Sequence, residues 1–163
     1  MLAPPADRRT VAARAARRLA LLVPLALLGG ALLSQYVGGL YPCEMCWWQR
    51  YPHAAAILLA GLAFTGPALS KRARSLTALA ALAVAISGLI GVYHVGVEQH
   101  WWEGLTRCST GGAKTLDEIM KTPLIRCDQV QWSLFGISLA GFNALFSLGG
   151  AAVIAALLAK AKR

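Results

Sequence analysis

Four long stretches of this 163-residue chain contain no charged side chain. They run over residues 19–43, 51–70, 75–97 and 129–159. An α-helix needs about 20 apolar residues to cross the hydrocarbon core of a bilayer, and each stretch reaches about that length. Continuous apolar runs are typical of helices, whereas the strands of a membrane barrel alternate apolar and polar residues. The sequence therefore predicts an all-α membrane protein with a bundle of four transmembrane helices.

Composition supports this class. Hydrophobic residues make up 57% of the chain and charged residues only 14%, against about 25% charged in typical globular domains. We predict a single integral membrane domain over residues 1–163 and one longer outer loop, 98–131, that carries a cysteine pair. The approximate spans are 19–40, 47–69, 75–97 and 132–159.

The orientation follows from the basic residues. Eleven of the 16 Lys and Arg side chains lie in the N-terminal tail, between the second and third spans, or at the C-terminus, which the positive-inside rule makes cytoplasmic. Six of the seven acidic residues lie on the opposite side. The net charge of +9 therefore reflects membrane topology, and it argues against a nucleic-acid partner. All four cysteines then face outward, into a compartment where disulfides form and persist.

The N-terminus has an alternative interpretation, because a basic start followed by an apolar run also describes a secretory signal peptide. The run is longer than the usual core of about 7–15 residues and lacks a clear Ala-x-Ala cleavage site. Cleavage would also leave three spans and put one terminus on the other side. We therefore expect residues 19–40 to remain as the first span.

Cys43 and Cys46 lie at the edge of the second span, with Arg50 four residues further on. If a helix begins near Cys43, these three residues share one face, and the positive end of the helix dipole favours a thiolate. Arg50 could stabilise the Cys46 thiolate and donate hydrogen bonds to an oxygen of a bound acceptor. It could also snorkel to the interface, but a charge at membrane depth beside two cysteines favours a functional role.

A C-x-x-C pair is also found in zinc sites. A zinc ribbon would present its second pair as another short knuckle, whereas 18 residues separate Cys108 and Cys127. We therefore predict no metal. The tryptophans lie at the predicted outer boundary, where most would anchor the protein at the interface, although Trp47 beside Cys46 could also offer a flat surface to a ring-shaped ligand. The tryptophans are Trp47, Trp48, Trp101, Trp102 and Trp132.

Cys108 and Cys127 bracket the polar part of the outer loop. A disulfide between them could be purely structural. An accessible loop also suits attack by the thiolate of another protein, and its tether would make exchange with the first pair intramolecular. His94 and His100 lie at the outer end of the third span, where a histidine could relay protons or bond an acceptor oxygen. We favour His94, which lies deeper in the span, over His100.

The chain resembles the bacterial disulfide bond formation protein B family, usually called DsbB. Nearly the whole chain takes part in the resemblance, through four spans, the Cys-x-x-Cys-x-x-x-Arg segment at the second span and the cysteine pair in the outer loop. The run from Cys127 to Trp132, which leads into Phe135-Gly136 at the predicted start of the fourth span, completes the pattern.

This resemblance implies a bacterial inner-membrane enzyme that passes electrons from a periplasmic DsbA-like thioredoxin-fold protein to ubiquinone or menaquinone. The partner would attack the Cys108–Cys127 disulfide at Cys108. Cys127 would then attack Cys43 and leave Cys46 as a thiolate next to the quinone, with Arg50 stabilising that charge.

Two alternatives stay open at this point. Vitamin K epoxide reductase-like enzymes use a C-x-x-C and a loop pair, but their loop pair precedes the C-x-x-C, whereas here it follows. An accessory membrane protein with two static disulfides would have the same four cysteines without the electron transfer.

Overall fold

The computed structural model describes residues 7–105, 115, 117 and 125–162 of the chain. Within them it contains four α-helices and one small β-hairpin between the third and fourth helices. The elements are α1 (Arg8–Tyr36), α2 (Glu44–Ala63), α3 (Lys71–Glu98), β1 (Ser133–Leu134), β2 (Ile137–Ser138) and α4 (Leu139–Lys160). Cys108 lies outside the described residues. The helices confirm the predicted all-α class, and the small hairpin is the one departure from it among the described residues.

Three of these helices, α1, α3 and α4, are long and apolar enough to cross a membrane. The described part of the chain includes α2 as a fourth helix of 20 residues, but a span there remains a prediction. Gln49, Arg50 and His53 lie within this helix. Those three side chains are nevertheless buried, so their polar groups face the bundle interior.

Three helices begin at residues whose side chains satisfy the free N–H groups of the first turn. The Ser70 hydroxyl accepts from the N–H of Ala73 at 3.2 Å, and the Ser138 hydroxyl accepts from Gly141 at 3.1 Å. The sulfur of Cys43 takes the corresponding place on α2, where it accepts from the N–H of Cys46. α2 thus begins at Glu44, three residues before the predicted start of the second span at residue 47.

The helices pack in a ring, with α2 against α3, α3 against α4, and α1 against both α2 and α4. Their central contacts are made mainly by small side chains, which allow the backbones to approach closely. Gly91 shows how closely α3 and α4 pack, because a Cβ atom there would lie 3.0 Å from the carbonyl oxygen of Ala140. The buried core comprises Ala16, Ala20, Ala56, Ala60, Ala80, Ala81, Val84, Ala151 and Ile154.

Basic residues and cysteines lie at opposite ends of this bundle. Arg17, near the start of α1, donates hydrogen bonds to the carbonyl oxygens of Ala63 and Gly66, beyond the C-terminal half of α2. Ala12 and Ala13 pack against Ala161 at the same end. Cys43 begins α2 at the other end, where α3 finishes at Glu98. The start of α1 and the cysteines therefore lie at opposite ends of the bundle, while the side of the membrane that each end faces stays a prediction.

The region predicted as the start of the fourth span has a different structure. The chain from Ser133 to Ser138 forms an antiparallel hairpin, and α4 begins only at Leu139. Phe135 and Gly136 at its turn have φ angles of 52° and 78°, as a two-residue turn between tightly paired strands requires. The apolar composition of this segment was misread as helix, because an exposed hairpin at a membrane boundary can be just as apolar.

The other predicted bounds differ by smaller amounts. α1 starts at Arg8 and ends at Tyr36, earlier at both ends than the predicted span 19–40. α2 ends at Ala63 rather than near residue 69. A span prediction follows the apolar stretch alone, whereas a helix begins and ends with its backbone hydrogen bonds. α1 therefore starts within the basic tail, and α2 ends before Gly66-Pro67, where a helix is interrupted.

Candidate active site

Cys43 and Cys46 form a close dithiol at the N-terminus of α2. Their sulfur atoms are 3.0 Å apart, and neither takes part in a disulfide in this structure. Cys43 is only 2% exposed, whereas Cys46 is half-buried, and both line a cavity. Cys46 is therefore the more accessible of the two thiols.

Cys127 from the outer loop lies directly against this pair. It is buried in the same cluster as Cys43, Met45, Val97 and Ile125. A hydrogen bond between the thiols of Cys127 and Cys43 is the main cause that raises the pKa of Cys43, followed by the bond to Cys46 and by burial. Cys43 is therefore held as a neutral thiol between two other sulfur atoms.

His94 of α3 joins these groups from the opposite side. Its Nε2 atom lies 3.6 Å from the sulfur of Cys43 and 3.9 Å from a carboxylate oxygen of Glu98. The ring also makes a hydrogen bond to the backbone of Cys127. Glu98 accepts a hydrogen bond from the hydroxyl of Ser138, the residue that caps α4. Residues of α2, α3 and the segment before α4 thus meet around one sulfur atom.

Arg50 is held one helical turn below Cys46. Its guanidinium donates hydrogen bonds to the side-chain oxygen of Gln35 and, at 3.1 Å, to the carbonyl oxygen of Ala31 in α1. The charge of Arg50 interacts with Cys46, as the shared helical face predicted. The side chain is 8% exposed, so it does not snorkel into solvent.

From the sequence, Trp47 could have offered a flat surface to a ring-shaped ligand, but the structure places its ring elsewhere. It is 39% exposed and is not among the residues that line the cavity. The Arg50 guanidinium lies 4.9 Å from the centre of its ring, and the ring of Tyr51 stacks on it at 6.2 Å. Trp47 therefore contacts Arg50 and supports its orientation.

A cavity of about 260 Å³ lies beside the half-buried thiol. Its polar wall includes Cys46, Arg50 and His94, and its apolar wall includes Leu27 and Leu28 of α1. A thiol, a fixed guanidinium and an imidazole thus face one space that apolar side chains close on the other side. This combination suits a flat, largely apolar molecule that carries oxygen atoms.

Four residues of the site were not predicted as site residues. Gln49, His53, Ser87 and Asn143 form a buried hydrogen-bonded network that extends from His94 into the bundle. Each lies in or next to a charge-free stretch, and polar side chains within such stretches often bond across helices. Their mutual pairing could not be read from the sequence, because it joins three different helices.

Arg126 and Asp128 are described residues of the outer loop, on either side of Cys127. The guanidinium of Arg126 bonds both carboxylate oxygens of Asp128 and thereby lowers the pKa of that carboxyl group. Arg126 also lines the cavity. His100 has a positive φ angle of 56° and is absent from the cavity wall, whereas His94 lies on it.

The same atoms could also hold a metal ion. The two sulfur atoms of Cys43 and Cys46 and a ring nitrogen of His94 all lie within 4.8 Å of one another. Thiolate and imidazole are the ligands that Zn²⁺ prefers. The geometry is therefore compatible with two chemistries, thiol exchange and metal binding.

Comparison with known proteins identifies the family. The family model for disulfide bond formation protein DsbB matches residues 13–157. The chain belongs to the DsbB family. It is 36% identical to disulfide bond formation protein B of Verminephrobacter eiseniae over 92% of this chain and 90% of that protein. The corresponding protein of Hahella chejuensis is 30% identical over 78% of this chain and 82% of its own length. No solved structure matches.

Family membership gives the coarse function. Proteins of the DsbB family form disulfide bonds, so this chain is a redox enzyme that generates disulfides. Its three span-length helices and the family together indicate a multi-pass membrane protein. The family match also decides against the vitamin K epoxide reductase-like alternative.

Proposed function

We propose that this DsbB-family protein oxidises the dithiol of a periplasmic DsbA-like thioredoxin-fold protein and passes the electrons to a membrane quinone. The observation that carries the proposal is the position of Cys127 against Cys43, with Cys46 on the cavity wall beside Arg50. Three sulfur atoms thus form a continuous path from the outer loop to the cavity. Thiol–disulfide exchange needs such contact, because a thiolate must attack a sulfur atom directly.

In this proposal the cysteines act in a fixed order. The partner attacks the Cys108–Cys127 disulfide at Cys108, a role that rests on the family resemblance because Cys108 lies outside the described residues. Cys127 then attacks the sulfur of Cys43 in the Cys43–Cys46 disulfide, and Cys46 leaves as a thiolate. The second thiol of the partner then displaces Cys108 and closes the partner's disulfide. Cys108 attacks Cys127, which re-forms the Cys108–Cys127 disulfide and releases Cys43, so that Cys43 and Cys46 hold two electrons and two protons.

A quinone, when bound, accepts those two electrons and two protons and becomes a quinol, while Cys43 and Cys46 form a disulfide again. The cavity residues fit this acceptor. Arg50 is held by Gln35 and Ala31 and can donate to a carbonyl oxygen, while Leu27 and Leu28 cover an apolar ring. Ubiquinone and menaquinone both have these chemical features.

The location follows from the same fold. We infer a bacterial inner-membrane protein with α2 as a fourth span, both termini in the cytoplasm and the cysteines on the periplasmic side. Basic residues lie at the start of α1, at the start of α3 and at the end of α4. They support this orientation through the positive-inside rule. The cysteine end then faces the oxidising compartment in which a DsbA-like partner works.

Anaerobic assays of the purified full-length protein test this function. Reduced DsbA-like protein should regain its disulfide when quinone is present and remain reduced when it is absent. Cys46→Ser should abolish quinone reduction but still form a mixed disulfide with the partner, and Cys108→Ser should abolish partner oxidation. Partner thiols that stay reduced in the presence of quinone would contradict the proposal and favour an accessory protein with static disulfides.

The role of Arg50 is tested in the same assay. Arg50→Ala removes hydrogen bonds from a charged donor, each of which contributes about 1.5–3 kcal/mol. The apparent KM for quinone should therefore rise by about ten-fold or more, while attack by the partner continues. Unchanged quinone kinetics would remove Arg50 from the acceptor site.

A further inference from the structure

The buried polar network behind the dithiol has no role in the proposed electron path. Gln49 of α2 contacts His94 of α3, with 2.9 Å between the amide nitrogen and Nδ1. Asn143 of α4 donates to the side-chain oxygen of Gln49 at 2.8 Å. Gln49 and His94 are 6% and 3% exposed. A polar network buried at this depth requires every donor to meet an acceptor.

Two backbone carbonyl groups fix the direction of the amides. The nitrogen of Gln49 lies 3.2 Å from the carbonyl oxygen of Met45, and the nitrogen of Asn143 lies 3.1 Å from that of Ser87. A carbonyl oxygen can only accept, so each amide must turn its NH₂ group toward it. The side-chain oxygen of Gln49 then accepts from Asn143, and the remaining hydrogen of Gln49 points to His94.

These directions determine which nitrogen of His94 carries the proton. Because Gln49 donates to Nδ1, that atom must be the unprotonated one in a neutral ring, and the hydrogen lies on Nε2. Nε2 faces the sulfur of Cys43 at 3.6 Å and the carboxylate of Glu98 at 3.9 Å. The ring also donates to the backbone of Cys127. The groups around Nε2 are thus acceptors for its hydrogen.

The position of the proton on His53, on the other side of Asn143, is determined by its hydrogen-bond partners in the same way. Its Nε2 lies 2.8 Å from the side-chain oxygen of Asn143, which can only accept once the amide nitrogen is fixed. Nε2 also lies 2.9 Å from the Ser87 hydroxyl, whose hydrogen is given to the carbonyl oxygen of Gln49. His53 therefore donates from Nε2, and its Nδ1 has no partner among the described residues.

We propose that Asn143 and Gln49 are positioning residues that hold His94 with its proton on Nε2. In this state His94 donates a hydrogen bond to the sulfur of Cys43 when negative charge develops there during exchange. It offers no lone pair to a metal ion, although Cys43, Cys46 and His94 are otherwise arranged as three zinc ligands. The network thus favours thiol exchange over metal capture at one set of atoms. The catalytic part of this inference rests on the proposed function, whereas the proton position does not.

Asn143→Asp is the variant that tests the network most sharply. A carboxylate cannot donate to the side-chain oxygen of Gln49. The Gln49 amide should therefore give up its bond to the carbonyl oxygen of Met45 for the stronger, charge-assisted bond to Asp, which turns its NH₂ group toward Asp and its oxygen toward His94. Nδ1 would then carry the proton, and Nε2 would present a lone pair to the two thiols. Asn143→Leu removes the donor without adding a charge, and it replaces Asn143→Asp in the test if the Asp variant does not fold. Ser147→Ala is the matched control, since Ser147 only donates to the oxygen of Asn143.

The first readout is the ¹⁵N NMR spectrum of the full-length protein with labelled histidine, which distinguishes protonated from unprotonated ring nitrogens without any quinone. Assignment uses His53→Gln and His100→Gln variants. We expect Nε2–H in the wild type and the Ser147→Ala variant, Nδ1–H in Asn143→Asp, and a mixture in Asn143→Leu. A wild-type His94 protonated on Nδ1, or the same tautomer in all variants, would overturn the proposal.

The second readout is zinc binding to the reduced protein, measured against a competing chromophoric chelator. Asn143→Asp should bind Zn²⁺ at least about ten-fold more tightly than the wild type, because Nε2 becomes available as a third ligand. Cys46→Ser in the same background should remove that gain. Equal zinc affinity in the wild type and Asn143→Asp would contradict the proposed selection against metal. If the NMR result holds but the wild type never reduces quinone, the proposed function fails and the proton position stands.

Discussion

The side chain of Cys127 lies in the same buried cluster as that of Cys43 and is the largest cause of the raised pKa of Cys43, although 83 residues lie between them in the sequence. Both are buried in one cluster with Met45 and Val97, and His94 binds the backbone of Cys127 from α3. The loop cysteine therefore reaches the first pair without rearrangement of the helices. In the proposed exchange a bond forms between Cys127 and Cys43 while the Cys43–Cys46 bond breaks, and the two sulfur atoms that join already share one buried cluster.

This contact predicts which cysteines can be trapped together. In Cys46→Ser/Cys108→Ser, the remaining thiols Cys43 and Cys127 should form an intramolecular disulfide rapidly under mild oxidation. In the matched variant Cys43→Ser/Cys108→Ser, Cys46 and Cys127 should react at least about ten-fold more slowly, because small displacements of reacting atoms cost large factors in rate. Peptide mass spectrometry of alkylated samples measures both rates. Equal rates in the two variants would contradict the proposed handover from Cys127 to Cys43.

The environment of Cys43 predicts an unusual pH dependence in the reduced protein. Hydrogen bonds to Cys127 and Cys46, together with burial, raise the pKa of Cys43 above the value of about 8.5 for an exposed thiol. The folded protein therefore retains this proton where the unfolded chain loses it. The stabilisation that results is complete below the unfolded pKa and declines as the pH rises above it.

Site-resolved alkylation from about pH 7 to pH 10 tests this prediction. In denaturant, the rate at Cys43 should increase through the ordinary thiol range, whereas in the folded reduced protein no midpoint should appear there. A folded midpoint at or below that of the denatured chain would show that Cys43 is not held as a neutral thiol.

Trp47 and Trp48 form a matched pair for testing the support of Arg50. The Arg50 guanidinium lies over the ring of Trp47, whereas Trp48 lines an apolar groove between α2 and α3. A cation–π contact of this kind contributes about 0.5–1 kcal/mol. Trp47→Leu should therefore raise the KM for quinone about two- to five-fold, and Trp48→Leu should leave it unchanged. Equal effects from both variants would indicate a general role of the aromatic boundary.

The close packing of α3 and α4 predicts different effects for two glycines. A Cβ atom at Gly91 would lie 3.0 Å and 3.1 Å from backbone atoms of Ala140 and Ala144, which cannot move without shifting α4. A Cβ atom at Gly149 would meet nothing within 4 Å. Gly149→Ala should therefore raise the thermal midpoint, since alanine favours a helix by about 1 kcal/mol. Gly91→Ala should lower it, because overpacking costs about 1–3 kcal/mol. Equal midpoints would contradict the close contact at Gly91.

The sequence predicted the parts of this molecule that depend on local pattern. Charge-free stretches predicted the helices, and the spacing of Cys43, Cys46 and Arg50 predicted their common face. Phe135-Gly136 was assigned to a helix because its apolar composition suited a span. Both residues have positive φ angles and form the turn of a hairpin instead. Gly136 was the available indication of a turn, because glycine adopts such angles readily.

The unpredicted part of the site depends on contacts between distant elements. Nothing in the spacing of Gln49 and Asn143 reveals that their amides meet, since one lies on α2 and the other on α4. The place of Trp47 under Arg50 rather than on the cavity wall likewise depends on how α1 and α2 pack. Polar residues within apolar stretches were the available indication, and they identify a buried network without giving its connections.

In the proposed reaction, Cys43 and Cys46 deliver their electrons to a quinone. The most direct measurement is an anaerobic single-turnover reaction of the fully reduced protein with ubiquinone or menaquinone, followed by rapid alkylation and peptide mapping. We expect one quinol formed for each Cys43–Cys46 disulfide formed, with Cys46→Ser forming neither. Quinone that stays oxidised while Cys43 and Cys46 remain alkylatable thiols would contradict this account.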